Sequence, residues 1–569
     1  MKESTIHQVN RRNILIKKYF EKNSFVEADI NSFNNFVDLE MNKIVKEMGD
    51  VVPTIIPPEM DSFKIRLDKI WITKPTMIEA DGSKRAIMQM EARLRNMTYS
   101  APIFIEVSAH IDGVQRESFT TQIGRLPIMV KSKYCHLHGL NREDLIAKGE
   151  DPEDPGGYFI LNGNERVLIT VEDLAANTLF VEEGKSGTSR FIGKIFSEKG
   201  SYRVPHLIEQ AKDGIIYLSF TRFKRIPIIA VIKALGMTRD DEIVKNISED
   251  KQYDDIFINL YSVLELKNEN DALEFLAKKI GISQPREIKI EKSQENLDRY
   301  LLPHLGTDPK DRMYKAVNLC KLIKRFLIIS KEDLENQDKD HYKHKRLKLS
   351  GDLLADLFRV NLRALINDIL YNYQRLVKRG KFQSIKIIIR DKLLTSRINS
   401  AMATGVWVGG RKGLSQNIDR TNYLATLSHL QRVVSLLSST QENFAARALH
   451  PTHWGRLCPI ETPEGTSIGL RKNLAVLCSI TQETVADDKV KKSLEEAGLR
   501  VVEDFGNHTI DYKVRNAETQ KIPYILVCGD KEEEKKTIAV RNHKDGKVKY
   551  GVKLDDFLKQ AQKEIEDKK

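Results

Sequence analysis

Twenty-one residues, "HPTHWGRLCPIETPEGTSIGL" from His450 to Leu470, constrain this chain more than any other stretch. Pro451, Pro459 and Pro463 exclude a helix interior and a central strand, because each removes a backbone donor and fixes φ. Gly455, Gly465 and Gly469 punctuate the same segment. The segment must therefore be a shaped loop or a series of turns, the kind of element on which sites are built. It also holds His450, His453, Trp454, Cys458, Glu461 and Glu464.

Elsewhere regular elements are expected. "DSFKIRLDKIWIT" and "APIFIEVSAHIDG" alternate as half-buried strands, and "VNRRNILIKKYFEKNSF" has helical spacing. Asp154-Pro155-Gly156-Gly157 reads as a turn, and Asn162-Gly163 as a hairpin between "YFIL" and "ERVLIT". From Ala176 to Gln337 the reading is a helix-rich insertion, followed by a charged linker, "KEDLENQDKDHYKHKRLKLSG". The helix "DLLADLFRVNLRALINDILYNYQRLVKRG" carries an apolar face through Leu353, Leu357, Leu365, Ile369 and Leu376 and stops at Gly380. Past Val485 a small α/β piece is expected: helix and strand in "VKKSLEEAGLRVVED", a strand in "KIPYILVCGD" and a helix in "FLKQAQKEIEDKK". The 569 residues imply several domains.

The net charge of +12 favours a polyanionic partner. None of the five cysteines forms a CxxC pair, so no zinc ribbon is expected, and their spacing suits reduced thiols in a cytoplasm. No secretion signal or membrane span is read. "GVWVGGRKGLSQ" falls short of a phosphate-cradling loop because Arg411-Lys412 stands where Gly-Lys-Ser/Thr is needed. It reads as a basic loop. Arg411, Lys412, Arg420, Arg432 and Arg447 share a stretch with Gln416, Asn417 and Asn422, a composition suited to a nucleic-acid backbone or to a solvated face. On residue types alone Glu461 and Glu464 hold the loop's shape, and His450 and His453 are hydrogen-bonded loop histidines rather than metal ligands.

Thr421 to Ala475, with "GLSQNIDRTNYL" just before it, resembles the fork region of the second-largest (β or B) subunit of multisubunit DNA-directed RNA polymerases. "DINSFNNFV", "GRLPIMVKSKYC", "GGYFILNGNERVLI" and "DHYKHKRLKLSG" are similar to further signatures of that family, in family order. The resemblance implies an α+β multidomain fold: a protrusion (1–175) with an inserted helix-rich lobe (176–337), the protrusion's return (338–400), a fork (401–485) and the start of an external domain (486–569). It implies the archaeal form, as the N-terminal half of a split subunit, located in the cytoplasm. Carried over, Gln416 and Asp419 line the RNA side of the cleft with His429, Arg432 and Ser435. Arg447 contacts a phosphate, and Pro463 and Glu464 lie near the RNA–DNA hybrid. His450, His453, Trp454 and Glu461 support the loop, with Trp454 anchored in the core. Gln431, Leu436 and Thr466-Ser467 depart from the family wording. The implied partners are the largest subunit, the C-terminal half of the second-largest subunit, other polymerase subunits, template DNA and nascent RNA. No cofactor is expected in this chain, since the family's Mg2+ belongs to the largest subunit, and no activity is expected from the chain alone. The alternative is a non-catalytic nucleic-acid-binding scaffold with the same fold.

Overall fold

Alternation builds the first sheet. Phe63 and Ile65 point inward while Lys64 and Arg66 face water, and Phe63–Ile72 pairs antiparallel with Ser100–Ile111, which pairs with Val114–Pro127. The computed structural model describes residues 12–566 apart from 21–23, 57–59, 61, 80, 113, 185–188, 201, 249–254, 333–337, 381–384 and 441, and, toward the C-terminus, 482–489, 491–492, 495–496, 498, 500, 502–509, 521, 528, 530–536 and 543–547. The long helix forms as expected, Ser350–Val377, and buries Leu353, Leu357, Leu365 and Ile369. It joins the sheet where Phe63 stacks on Tyr373 with ring centroids 4.7 Å apart, and it meets the helical segment Phe36–Glu40 where Phe358 lies 6.1 Å from Phe36.

The start of that helix is pressed against Glu27–Asn35. Gly351 N donates to Ser32 Oγ (3.1 Å), and Ser350 Oγ donates to the Asp29 carbonyl (3.2 Å). A Cβ on Gly351 would stand 2.1 Å from the Ser32 carbonyl oxygen, a backbone atom that cannot swing away. Gly351→Ala is therefore expected to cost about 2–3 kcal/mol through overpacking. Chemical denaturation of the variant would measure it, and an unchanged midpoint would refute the close approach.

The Asn162-Gly163 hairpin is present, with both residues at positive φ (49° and 77°) as its turn type demands. Its second strand, Asn164–Leu168, also pairs with Ser415–Asn417. The helix Asp391–Thr404 lies along Val114–Pro127, where Arg125 N donates to Thr395 Oγ1 (2.9 Å).

Two readings need amending. The 176–337 region is helical from Ile228 onward, but before the helices it holds a five-stranded antiparallel sheet, Leu179–Pro227, that the helix-rich reading left out. Ser197, His206 and Gln210 are buried polar residues on its strands, so polarity there does not mark the solvent face. Sheet and helices share a core of their own, from Leu179 through Phe326. Likewise the "charged linker" ends as a strand. Lys345–Lys348 is the edge of a four-stranded sheet completed by Thr170–Leu174, Arg432–Ser435 and Arg471–Asn473, in that order.

Residues 481–569 form a second compact unit. Tyr524–Val527, Ile538–Asn542 and Val548–Val552 make an antiparallel sheet, and Leu554–Glu566 packs on it through Phe557 and Ala561. Most of "VKKSLEEAGLRVVED" lies outside the described residues.

Candidate nucleic-acid interface

The four-stranded sheet gathers segments far apart in sequence around one buried carboxylate. Lys472 Nζ reaches Glu172 at 3.1 and 3.0 Å, Lys345 Nζ at 3.4 Å, and Tyr342 Oη donates to it at 2.6 Å. Burial alone pushes the Glu172 carboxyl up, but the two ammonium groups and the phenol outweigh it and hold it below the usual range. The strand pairs and this cluster together fix where Arg432–Ser435 and Arg471–Asn473 sit.

From this base the predicted residues can be placed. Gln416 and His429 come together: Gln416 Oε1 is 3.1 Å from His429 Nε2, and Gln416 Nε2 donates to the Gly413 carbonyl. Asp419 N donates to His429 Nδ1 (3.1 Å), so the ring's proton sits on Nε2. The exposed Asp419 carboxylate accepts from Thr421 N and Oγ1, shaping the turn before the helix Tyr423–Leu430. Arg432 is half-buried beside Arg471. Burial and that second guanidinium both push its pKa down, and neither arginine has a carboxylate within ion-pair distance among the described residues.

Beside them opens a groove of about 470 Å³. Arg411, Lys412 and Arg471 line it with Ser435, Ser439 and Ser467, and no carboxylate does. Lys412 and Arg471 were the under-read residues. Arg471 lies just past the proline-rich loop, and only the strand pairing of Val434 with Arg471 brings it to the basic loop.

Other cations are already engaged. Arg420 binds Glu165 (2.7 Å) and Asp154 (2.9 Å), which removes it from the expected backbone contacts. Arg447 donates to the carbonyls of Thr466 (2.6 Å), Ile468 (3.0 Å) and Ser439 (2.9 Å), tying two loops together. Gly469 has φ 71°, and a Cβ there would lie 2.2 Å from the Arg447 carbonyl oxygen.

The proline-rich loop is a set of short turns, Pro451–His453 and Gly465–Ser467 among them. His450 Nδ1 accepts from Thr452 N, and its Nε2 meets Asp338 at 2.7 Å. Buried His453 packs edge-on to Tyr342. Glu461 accepts from the Ser428 hydroxyl, as a shape-holding role requires. Glu464 is exposed and makes no hydrogen bond or ion pair among the described residues, so it does not hold the loop. Pro463 is half-buried beside it. Trp454 contradicts its expected role: it is 75 % exposed. The turn at Pro451–His453 sends His453 inward, and Leu457 with it, so these two residues anchor the loop instead. Among the described residues, no cluster of three or more His, Cys, Asp or Glu is arranged to hold a metal ion, and no helix is long and apolar enough to cross a membrane.

His206, His429 and His453 are all pushed down to about 4, chiefly by burial. A depressed folded pKa contributes stability that is present above the unfolded value of about 6.5 and lost as pH falls toward 4. The expected loss is about 3 kcal/mol per histidine. Asp29 opposes it: burial raises that carboxyl to about 6, so its contribution is present at low pH and lost as pH rises through 6. Asp352 and Asp356, also raised by burial, oppose it too, while His304 and His344, lowered by burial, add to it. With the three deeply buried rings dominating, denaturation midpoints should fall between pH 6.5 and 4, and His429→Asn should shallow the slope. A flat profile would contradict the neutral, buried rings.

Residues 24–396 match the family model for the RNA polymerase beta subunit, and residues 416–480 match RNA polymerase Rpb2, domain 3. The chain belongs to the RNA polymerase beta subunit family. It is 40% identical over 566 residues to DNA-directed RNA polymerase subunit Rpo2 of Saccharolobus shibatae, covering 97% of this chain and 50% of that one. It is 42% identical to subunit Rpo2N of Methanocaldococcus jannaschii, covering 86% of this chain and 99% of that one. Against Rpo2N of Methanothermobacter thermautotrophicus the identity is 40%, over 83% and 95% of the two chains. This chain thus spans about half the length of the Saccharolobus relative and nearly all of the Rpo2N proteins. Residues 475–564 match a different family model, the anticodon binding domain.

Proposed function

We propose that the chain is the N-terminal half of the second-largest subunit of an archaeal-type DNA-directed RNA polymerase, lining one side of the active-site cleft. The observation that carries the reading is the groove lined by Lys412 and Arg471, with Arg411 at its side paired to Asp173 (3.5 Å), in a family whose relatives are RNA polymerase subunits. Lys412, Arg471 and Arg432 take phosphates of template DNA or of the RNA–DNA hybrid through charge. Gln416 and Asp419 face the RNA side, Pro463 and exposed Glu464 lie near the hybrid, and Arg447 orders the loop beneath it. Protrusion, lobe and fork follow the boundaries stated above. In RNA synthesis a 3′-hydroxyl attacks the α-phosphate of a nucleoside triphosphate and pyrophosphate leaves; the Mg2+ that would stabilise the attacking and leaving oxygens would be held by the largest subunit. This chain therefore walls and positions, and is inactive without the largest subunit, the C-terminal half and the remaining subunits. It works where the DNA is, in the cytoplasm.

The unit 481–569 carries a second reading. Its match to the anticodon binding domain supports an RNA-contacting module, in place of the external-domain start that the resemblance implied.

The test is co-purification from the native source, with template-directed RNA synthesis assayed on the same fractions. Co-elution of a largest subunit with activity is expected. Elution alone, with DNA binding and no synthesis, would favour the scaffold alternative.

A further inference from the structure

The antiparallel sheet of Leu179–Pro227 carries aromatic residues on the face turned away from its own core. Leu179, Ile195 and Val204 point into that core. On the opposite face the register sets Phe180 across from Lys194, and Phe196 across from Pro205. Phe180 is 4 % exposed, yet it belongs to neither of the large hydrophobic cores. His344 meets its ring edge-on (5.4 Å), and Arg203 lies over Phe196 (4.5 Å). Past these contacts both rings line a cavity of about 600 Å³, closed on the far side by Leu174, Trp407 and Ser435–Leu437. That is the volume of a small-molecule site. The carboxylates around it are all matched. Glu182 is held by Lys339 (2.9 Å), Glu198 by Lys348 (3.0 Å), and Lys345 stands between Glu172 (3.4 Å) and Asp340 (3.6 Å). Asp356 reaches Lys348 (3.6 Å), and Asp173 is shared by Arg203 and Arg411. Of the cations lining the cavity, only Lys194 has no carboxylate within ion-pair distance among the described residues.

We propose that this cavity is an effector site for an amphipathic monoanion: a small molecule with an aromatic or branched apolar body and a single carboxylate or sulfonate. The body lies against Phe180, Phe196, Leu436 and Leu437, and the acid meets Lys194. A cation or a dianion is disfavoured, because every other charge on the lining already has its partner and an unmatched one costs desolvation. The site bears on nucleic acid through a common wall. Gly409, Arg411, Ser435, Leu436 and Leu437 line the cavity and the basic groove alike. Asp173, 3.5 Å from the Arg411 guanidinium, lies on the cavity side only. A second anion on that side holds Arg411 away from the groove, which then offers one cation fewer. Occupancy therefore lowers affinity for an RNA–DNA hybrid, and by linkage a bound hybrid weakens the small molecule. This coupling, unlike the site itself, rests on the polymerase reading above.

The probe is anilinonaphthalene sulfonate, an aromatic monoanion that fluoresces when it leaves water, titrated into the full chain. A saturable site is expected, with hydrogen-exchange protection of 407–411 and 435–437. Lys194→Glu should weaken the probe about tenfold or more, and Lys194→Arg should hold it within about twofold of wild type. Lys194 is exposed, so circular dichroism and the thermal midpoint should not move in either variant. Leu437→Glu, which sets an acid against the apolar body, should weaken the probe as well. Saturating probe should lower the affinity of the full chain for a short RNA–DNA hybrid about threefold to tenfold at low salt, and this effect should be absent in Lys194→Glu. Wild-type probe affinity in both glutamate variants would overturn the site. Loss in Leu437→Glu alone would overturn the monoanion as its ligand. Probe binding with no change in hybrid affinity would overturn the coupling. A chain that binds the probe but no hybrid, alone or in the reconstituted enzyme, would count against the polymerase reading and not against the site.

Discussion

Glu172→Ala is expected to cost about 3–5 kcal/mol, because it leaves ammonium groups buried without their partner. Lys472 and Lys345 both lie against that carboxylate, whose side chain is 1 % exposed. The damage should be local at first. Strands Arg432–Ser435 and Arg471–Asn473 lose the group that holds them to Thr170–Leu174, so amide exchange there should accelerate before exchange in the separate core from Leu179 to Ile329 does. Replacing Glu172, Lys472 and Lys345 together by methionine should recover most of the loss, since an apolar set of similar volume carries no desolvation penalty. If Glu172→Ala is within about 1 kcal/mol of wild type, the cluster is not what fixes this sheet.

Charge reversal in the groove is the second large effect. Lys412→Glu with Arg471→Glu removes two cations and adds two anions where no carboxylate now stands. Affinity of the assembled enzyme for an RNA–DNA hybrid should drop by about 10²–10³ at low salt, and the slope of log K against log salt should become shallower by about one for each phosphate no longer neutralised. Arg420→Ala is the contrast. Its guanidinium is committed to Glu165 and Asp154, so it should lower stability and leave the salt slope alone. Equal slopes for all three proteins would remove the groove from the nucleic-acid path.

Much of this was legible in the sequence. The alternation of 63–72 and 100–111, the Asn162-Gly163 turn and the face of 350–377 are local patterns, and each formed as read. Gln416 and His429 were placed on one wall and do meet. What could not be read was which side chains pair across long separations. Arg420 and Arg447 look like free cations until Glu165, Asp154 and three carbonyls are seen beside them. Lys345 sits in a run that any composition argument assigns to solvent, and Glu172 with Asp340 explains its burial. Residue type alone assigns Trp454 to the core, whereas the turn at Pro451–His453 sends His453 inward instead.

The sheet built from 170–174, 345–348, 432–435 and 471–473 also sets a timetable for synthesis. Glu172 and Lys472 are separated by 300 positions. At about 5–20 residues per second, some 15–60 s pass between the emergence of the two. The region from Leu179 to Ile329 has a core of its own and can fold during that interval. Partway through it Lys345–Lys348 covers one edge of Thr170–Leu174 and Lys345 gives Glu172 a first counter-ion, but the other edge stays unpaired until Arg432–Ser435 emerges. An open β-edge therefore persists on the ribosome until then, which makes this strand the point at which a chaperone or a mispaired neighbour would act.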